Sequence, residues 1–323
     1  MSSYGPDTTT DEVLEGIDIS GKRILITGSS SGLGEESARA LSSKGAAITM
    51  AARNPEKNEA AAARIREKVP GAELELRTLD LCSLESVRSF AKGFLADHQR
   101  LDVLLDNAGV MCCPRGTTSD SFETQLGTNH IGHFLLTGLL TPALVASAPS
   151  RVVVLSSAAH TIAGVDFEDP MFERREYEPW QAYGQSKTAN ALFALELDRR
   201  LAKQGVSAYS VHPGMIMTEL SRHLNAELLE KMQKRRKERA TAADAEGPVM
   251  KFKSVEAGAA TQVWAATTGN LADHGGAYLA DCQLGLTGPN HGERTVEPYA
   301  QDPDAAARLW TASEEWVGQT FDL

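Results

Sequence analysis

The chain has 323 residues, 42% hydrophobic and 23% charged, enough for one large α/β domain or two modest ones. Forty-three acidic against thirty-two basic residues give a net charge of −11, which repels a phosphate backbone and argues against nucleic acid as a partner. No stretch approaches the roughly 20 apolar residues of a membrane span, and the N-terminus lacks the basic start and apolar core of a signal peptide.

In chain order, residues 1–20 read as a flexible tail, although VLEGIDI can partly pack. From Lys22 a regular pattern begins: RILIT (23–27) is a short apolar run, a glycine-rich turn follows, and EESARALSSKG reads as a helix stopped by Gly45. Further strand-like runs are AAITMAA (46–52), ELELRTLD (73–80), LDVLLDNAG (101–109), RVVVLSS (151–157), VSAYSVHPG (206–214) and GGAYLADC (275–282). Helical patterns lie between most of them. The alternation predicts a doubly wound parallel sheet of seven strands with helices on both faces, one domain over residues 21–323. Two segments interrupt it, 158–182 and 219–252, each after a strand C-terminus, where open α/β sheets bind ligands. They are candidates for a substrate pocket and its lid. Cys82, Cys112, Cys113 and Cys282 show no zinc-ligand spacing and are too few for a disulfide scaffold. A soluble, cytoplasmic protein with reduced thiols is expected.

The turn TGSSSGLGEESA (27–38) follows a strand and opens a helix, with glycines at 28, 32 and 34. Glycine lets the backbone approach a pyrophosphate whose charge the helix N-terminus favours. The competing reading is a merely structural strand–helix turn. The second strand ends MAARNPEK, with Arg53 where an acid would read a free ribose hydroxyl. A guanidinium forks onto phosphate, so NADP(H) is preferred over NAD(H) unless Arg53 is only a solvated surface group. Asp80 can bond an adenine amino group or cap the helix beginning near Ser83.

AYGQSK (182–187) sets Tyr183 and Lys187 four apart, neighbours on one helix face. A phenol of pKa about 10 is a poor acid or base near neutrality. A lysine about 4 Å away, at an effective dielectric near 20, offers on the order of 4 kcal/mol, or about three pKa units before desolvation opposes it. Taken alone, this is more simply a surface pair. What changes the reading is Ser156 and Ser157 ending RVVVLSS, and Asn129 in GTNHIGHFLLTG. A serine can polarise a carbonyl and an asparagine can hold a proton-relay water.

Together, TGSSSGLG, LDNAG, TNHIGHF, VVVLSS, YGQSK and HPGMIMT, in that order over residues 21 to about 282, resemble the short-chain dehydrogenase/reductase superfamily. The resemblance implies a Rossmann fold and a catalytic tetrad of Asn129, Ser157, Tyr183 and Lys187, with Tyr183 as general acid/base and hydride passing at nicotinamide C4. It implies a cofactor site of Gly28, Ser30, Ser31, Gly32, Leu33, Gly34, Arg53, Asp80, Leu81, Asn107, Ala108, Gly109, Pro213, Gly214 and Thr218, with Tyr183 and Lys187. The chain is further similar to the retinol dehydrogenase and WW-domain oxidoreductase branch, which implies a lipophilic alcohol, aldehyde or ketone, retinoid-, steroid- or polycyclic-like. Ser157, His160, Tyr183, Met215 and Met217 are the expected substrate pocket. By analogy a homodimer or homotetramer is expected. Asp106 departs from the family's usual asparagine. The membrane anchor of many retinol dehydrogenases has no counterpart, which argues against a membrane-delivered retinoid. A non-catalytic nucleotide-sensing regulator of the same fold is the alternative, against which the intact tetrad argues.

His130 and His133 are expected to be packing or surface residues, since two histidines without a third ligand do not make a metal site. Tyr177, in REYEP, lacks a lysine four residues on, and its acidic neighbours would raise its pKa. LLEKMQKRRKERA (228–240) puts Leu224, Leu228, Leu229 and Met232 on one helical side against basic residues. A solvated face, a membrane-surface helix and a substrate lid are all compatible with it. The lid, with Met215 and Met217, is the expectation carried forward.

Overall fold

The computed structural model describes residues 4–239, 252–288 and 292–323. Its strands are β1 (Arg23–Thr27), β2 (Ala47–Ala52), β3 (Leu74–Thr78), β4 (Val103–Asp106), β5 (Ser150–Leu155), β6 (Val206–His212) and β7 (Tyr278–Ala280). They pair in parallel in the order β3-β2-β1-β4-β5-β6-β7. Successive residues of a strand point to opposite faces, and both faces are buried. Thus Leu25, Leu104, Val152 and Val154 enter one core, while Ile24, Ile26, Leu105 and Val153 enter the other.

The expected seven-stranded parallel sheet gains one element. A short β8 (Gln283–Leu284) returns antiparallel along β7, giving eight strands. The reversal uses Asp281 and Cys282, both at φ 54°. Two consecutive positive-φ residues are what a tight hairpin turn requires, but neither is glycine, so the sequence carries no turn signal there. β9 (Leu286–Thr287) and β10 (Thr295–Val296) form a separate parallel pair.

The helices are α1 (Thr10–Val13), α2 (Gly32–Ser42), α3 (Pro55–Lys68), α4 (Leu84–Asp97), α5 (Thr124–Leu126), α6 (Gly132–Val145), α7 (Pro179–Leu201), α8 (Ala226–Arg239), α9 (Val255–Thr267) and α10 (Pro303–Val317). Local chemistry starts them: Asn54, Ser83, Glu178 and Asp302 each accept a first-turn amide, and α3, α7 and α10 carry proline in the first turn. Helices α4, α6, α7 and α10 cover one face and α2, α3 and α9 the other. Of the two interrupting segments, 179–182 already belong to α7, and 158–162 form a 3₁₀ turn. Residues 219–239 form a 3₁₀ turn followed by α8, and 240–251 lie outside the described residues.

Residues 4–20, expected to be a flexible tail, are docked. Val13 and Leu14 are buried in the α2/α3/α9 core. Thr10 bonds to Glu36, and Arg39 reaches Glu36 and Asp11, the latter at 2.8 Å. Gln283 donates to the Tyr4 carbonyl at 2.8 Å. Burial of two aliphatic side chains outweighs the polar composition of the stretch. Leu14→Ala should therefore cost about 2–5 kcal/mol in urea unfolding; a loss below about 0.5 kcal/mol, the scale of a surface change, would show the segment to be loose.

Candidate active site

The strand order reverses at β1 and β4, and a crevice opens at their C-terminal ends, where open α/β sheets bind ligands. Thr27 Oγ1 accepts the backbone amides of Asn107 and Ala108, both at 3.0 Å, and Asn107 Nδ2 donates to the Thr27 carbonyl at 2.8 Å. The glycine turn and the LDNAG segment are thereby locked together. Gly28, at φ 67°, lies so close to Ala108 that a Cβ would stand 2.8 Å from its Cα. At Gly34 a Cβ would strike Asn107 Nδ2 and the Gly28 carbonyl. Ser31 is the N-cap of α2 and makes no side-chain capping bond, so the first-turn amides of α2 take no bond from it. Unclad backbone beside helix amides fits an anionic pyrophosphate. Ser30, Ser31, Gly32 and Leu33 are partly exposed here, and Thr218 lies against Gly32.

Arg53 is exposed just beyond β2. Asp80 does not cap α4: Ser83 does, accepting the Ser86 amide at 3.2 Å, while Asp80 Oδ1 accepts from Cys82 N at 3.0 Å. The Leu81 side chain is buried in the core, so it offers a ligand no side-chain contact.

Asn129 occupies a π-helical turn, Gly127–Ile131, between α5 and α6. Its Oδ1 accepts from Val110 N at 2.8 Å, and its Nδ2 donates to the Val110 carbonyl and Ser186 Oγ, both at 2.9 Å. Ser157, just after β5, stands beside Tyr183 and its Oγ accepts from Ala159 N at 3.1 Å, and Ser156 Oγ donates to the Lys187 carbonyl at 2.7 Å. Tyr183 and Lys187 lie one turn apart on α7. Lys187 Nζ donates to the Leu155 carbonyl at 2.8 Å and stands 5.7 Å from the Tyr183 ring centroid.

The electrostatics differ from the expectation that Lys187 acidifies Tyr183. Burial pushes the phenol up, with the neighbouring Ser157 hydroxyl opposing it, and burial pulls Lys187 down to about 7. Desolvation dominates both groups because the ammonium is bonded to a carbonyl and set back from the ring.

Ser156, Ser157, Tyr183 and Lys187 line a cavity of about 1140 Å³, with Asn129 buried behind it. Its walls include Met111, Ile162, Trp180, Met215, Ile216 and Leu224, and Pro213, Gly214, Met217 and Thr218 also border it. Helix α8 packs across it: its Leu228 and Met232, with Leu224 just before the helix, cluster with Trp180 and Tyr183, and Trp180 Nε1 donates to the Leu228 carbonyl at 3.0 Å. Its apolar side faces the cavity, as a lid requires.

His160, expected in the pocket, is elsewhere. It is fully buried, its Nδ1 2.7 Å from the Ser157 carbonyl and its Nε2 accepting from Glu297 N at 3.2 Å. The 3₁₀ turn after Ser157 directs it inward, and Thr161 and Ile162 line the cavity instead.

A short chain dehydrogenase family model matches residues 22–229. The chain belongs to the short-chain dehydrogenase family. Among its relatives, human retinol dehydrogenase 12 is 41% identical over 304 residues, covering 94% of this chain and 88% of that one. Human retinol dehydrogenase 13 is 40% identical over 302 residues, covering 93% and 86%. A crystal structure of an uncharacterized Mycobacterium paratuberculosis protein superposes with a TM-score of 0.72 at 35% identity, covering 95% and 97%. L-sorbose reductase from Gluconobacter frateurii, complexed with NADPH and L-sorbose, shares the fold at a TM-score of 0.62 and 23% identity, covering 82% and 96%. The protein is thus an oxidoreductase of this family, in the branch similar to retinol dehydrogenases, and the family uses a nicotinamide cofactor.

Several residues of the dehydrogenase's cavity carry no separate signal in the sequence. His212, within the HPG motif, accepts from Ala158 N at 3.1 Å, and its Nε2 lies 2.7 Å from Glu293 Oε2. It holds the chain just after Ser157, while Glu293 arrives from 81 positions later. Tyr177 accepts from Gln125 Nε2 at 2.9 Å and donates to the Cys113 carbonyl at 3.0 Å; burial first, and Glu123 second, raise its pKa. It braces the Cys113 and Gln125 segments against the start of α7 and does not line the cavity. His130 and His133 are both buried, held at about 3 and about 4 by desolvation, bonding to Ser313 and to Thr27 and the Asn129 carbonyl. No described His, Cys, Asp or Glu residues gather in a group of three suited to a metal.

Asp106, the departure from the family's asparagine, is fully buried below this network. One oxygen accepts from Thr137 Oγ1 at 2.9 Å, the other has no hydrogen bond and lies 3.9 Å from His133 Nε2, and desolvation raises its pKa to about 8. An acid whose folded pKa lies above its unfolded value loses stability as pH rises from the unfolded pKa, about 4, to the folded one, then levels off. Asp106→Asn should remove that slope, gaining on the order of a few kcal/mol over wild type near pH 8 and little at pH 4. Urea midpoints across that range test it, and an equal gain at both ends would show that ionisation is not the cause.

Proposed function

We propose that the dehydrogenase is NADP(H)-dependent and interconverts a bulky lipophilic alcohol with its aldehyde or ketone. The observation that carries the reading is Tyr183 beside Ser157 at the wall of a largely apolar cavity, with Lys187 one helical turn along and 5.7 Å from the ring centroid. Nicotinamide, when bound, supplies or accepts the hydride at C4. Tyr183 gives a proton to the substrate oxygen on reduction and takes it on oxidation. Ser157 donates to the same oxygen and keeps the phenol aimed at it. Lys187 holds the floor of the site and, with a pKa near neutrality, is charged or neutral according to its surroundings. Asn129 fixes the spacing between the LDNAG segment and α7.

The preference for the phosphorylated cofactor rests on Arg53, exposed beyond β2 where the adenosine ribose would be read. Its guanidinium suits a 2′-phosphate. A lipophilic substrate is supported by the methionine, isoleucine and tryptophan walls and by the retinol dehydrogenase relatives.

Tyr183→Phe should lower turnover of bulky aldehydes at least about a hundredfold while NADPH affinity, read by fluorescence titration, stays near wild type. Undiminished turnover would remove Tyr183 as the acid/base, and a wild type that binds NADPH yet reduces none of a panel of aldehydes and ketones would favour a nucleotide sensor. Arg53→Ala should weaken NADPH binding about tenfold, the worth of one charged hydrogen bond, and leave NADH unchanged. Equal effects on the two cofactors would take Arg53 out of the argument.

A further inference from the structure

The lid contributes a charged group to the cavity as well as an apolar cover. Among the described lining residues, the Lys, Arg, Asp and Glu side chains are Lys187, Arg235 and Glu293. Lys187 is bonded to the Leu155 carbonyl and Glu293 to His212. Arg235, on α8, is tethered through one nitrogen only: Nη2 lies 3.3 Å from Glu178 Oε2. Its Nη1 is shielded from solvent and has no hydrogen-bond partner.

Glu178 stands behind the guanidinium, outside the cavity lining. It is the N-cap of α7, its Oε2 also accepting the Gln181 amide at 2.9 Å. Tyr183 is five residues further along that helix, about 7.5 Å down its axis at about 1.5 Å per residue. A ligand whose carbonyl meets Tyr183 therefore has Arg235 within its own length, across the Trp180 and Met232 wall. The Arg235 side chain as a whole is 34% exposed and borders the cavity, so a small rotation that turns the unused Nη1 donor to the cavity would suit an anion there better than a purely apolar ligand.

We propose that Arg235 is a specificity-determining residue that receives a carboxylate at the end of the substrate remote from the reacting carbonyl. The preferred substrates are then amphipathic oxo acids, and hydroxy acids in the reverse direction, with an apolar middle. This rests on the oxidoreductase reading above for its chemistry, but not for its binding. The competing role is mechanical. Glu178 Oε1 is also unpaired and buried, so a small rotation would complete a two-point Arg235–Glu178 pair that simply latches α8 to α7.

Binding and turnover together separate these. The NADPH-loaded protein is titrated by calorimetry with decanoate and decanol, and NADPH oxidation is followed with medium-chain ω-oxo carboxylic acids and their methyl esters. Wild type should prefer each acid over its neutral partner, and Arg235→Gln should weaken the acid about ten- to a hundredfold while leaving decanol and the ester unchanged. Glu178→Gln keeps the cap acceptor and frees the guanidinium, so it should retain or strengthen the acid preference. No preference in wild type, or parallel losses for acid and neutral ligands in both variants, would overturn the proposal in favour of the latch. Arg235-dependent binding of decanoate without reduction of any aldehyde would leave the carboxylate site standing and defeat the oxidoreductase chemistry proposed for this pocket.

Discussion

The site depends on one side-chain amide. Asn129 accepts from and donates to the backbone of Val110 and also bonds Ser186, so it fixes the exit of β4 against the middle of α7. Tyr183 and Lys187 are on that helix, and the crevice that would take a nucleotide is on the other side of the clamp. A regular α-helix would carry the side chain round by about 100° per residue. The π turn at Gly127–Ile131 inserts extra backbone, which lets Asn129 face the site while the flanking residues stay in the core.

Removing water around the clamp has consequences for every ionisable group beneath it. Lys187, His133, Asp106 and Tyr183 are all shifted toward their neutral forms by burial. A neutral, bonded interior costs less than isolated charges would. The same low-dielectric setting magnifies any charge that appears during proton transfer. Lys187 is the group placed to respond, because its pKa lies close to neutrality and its nitrogen lies one turn below the phenol.

Much of this organisation is legible in local patterns. The apolar runs that became β1 to β7 are short and continuous because each is buried on both sides, and period and length reveal that without tertiary information. Asn54, Glu178 and Asp302, each followed by proline, are helix starts readable from two letters. The misplacement of His160 has an equally local cause. A 3₁₀ turn has about three residues per turn, so the third residue after Ser157 swings back under the strand, and no motif distinguishes that from a loop entering the pocket. The docked N-terminus was only half legible: VLEGIDI could be expected to pack in part, but the polar letters around it point to a tail, and the burial of Val13 and Leu14 decides the matter.

The sequence alone determined β1 to β7, their parallel, doubly wound character and the residue types capable of the chemistry, since these follow from periodicity, capping and side-chain pKa. Tertiary structure decided the rest. It brought Glu293 to His212 and Arg235 to Glu178, pairs separated by 81 and 57 residues. It also set the sign of the shifts on Tyr183 and Lys187. Charge and desolvation act through distance and exclusion of water, and neither quantity is present in a string of residues until the chain has folded around them.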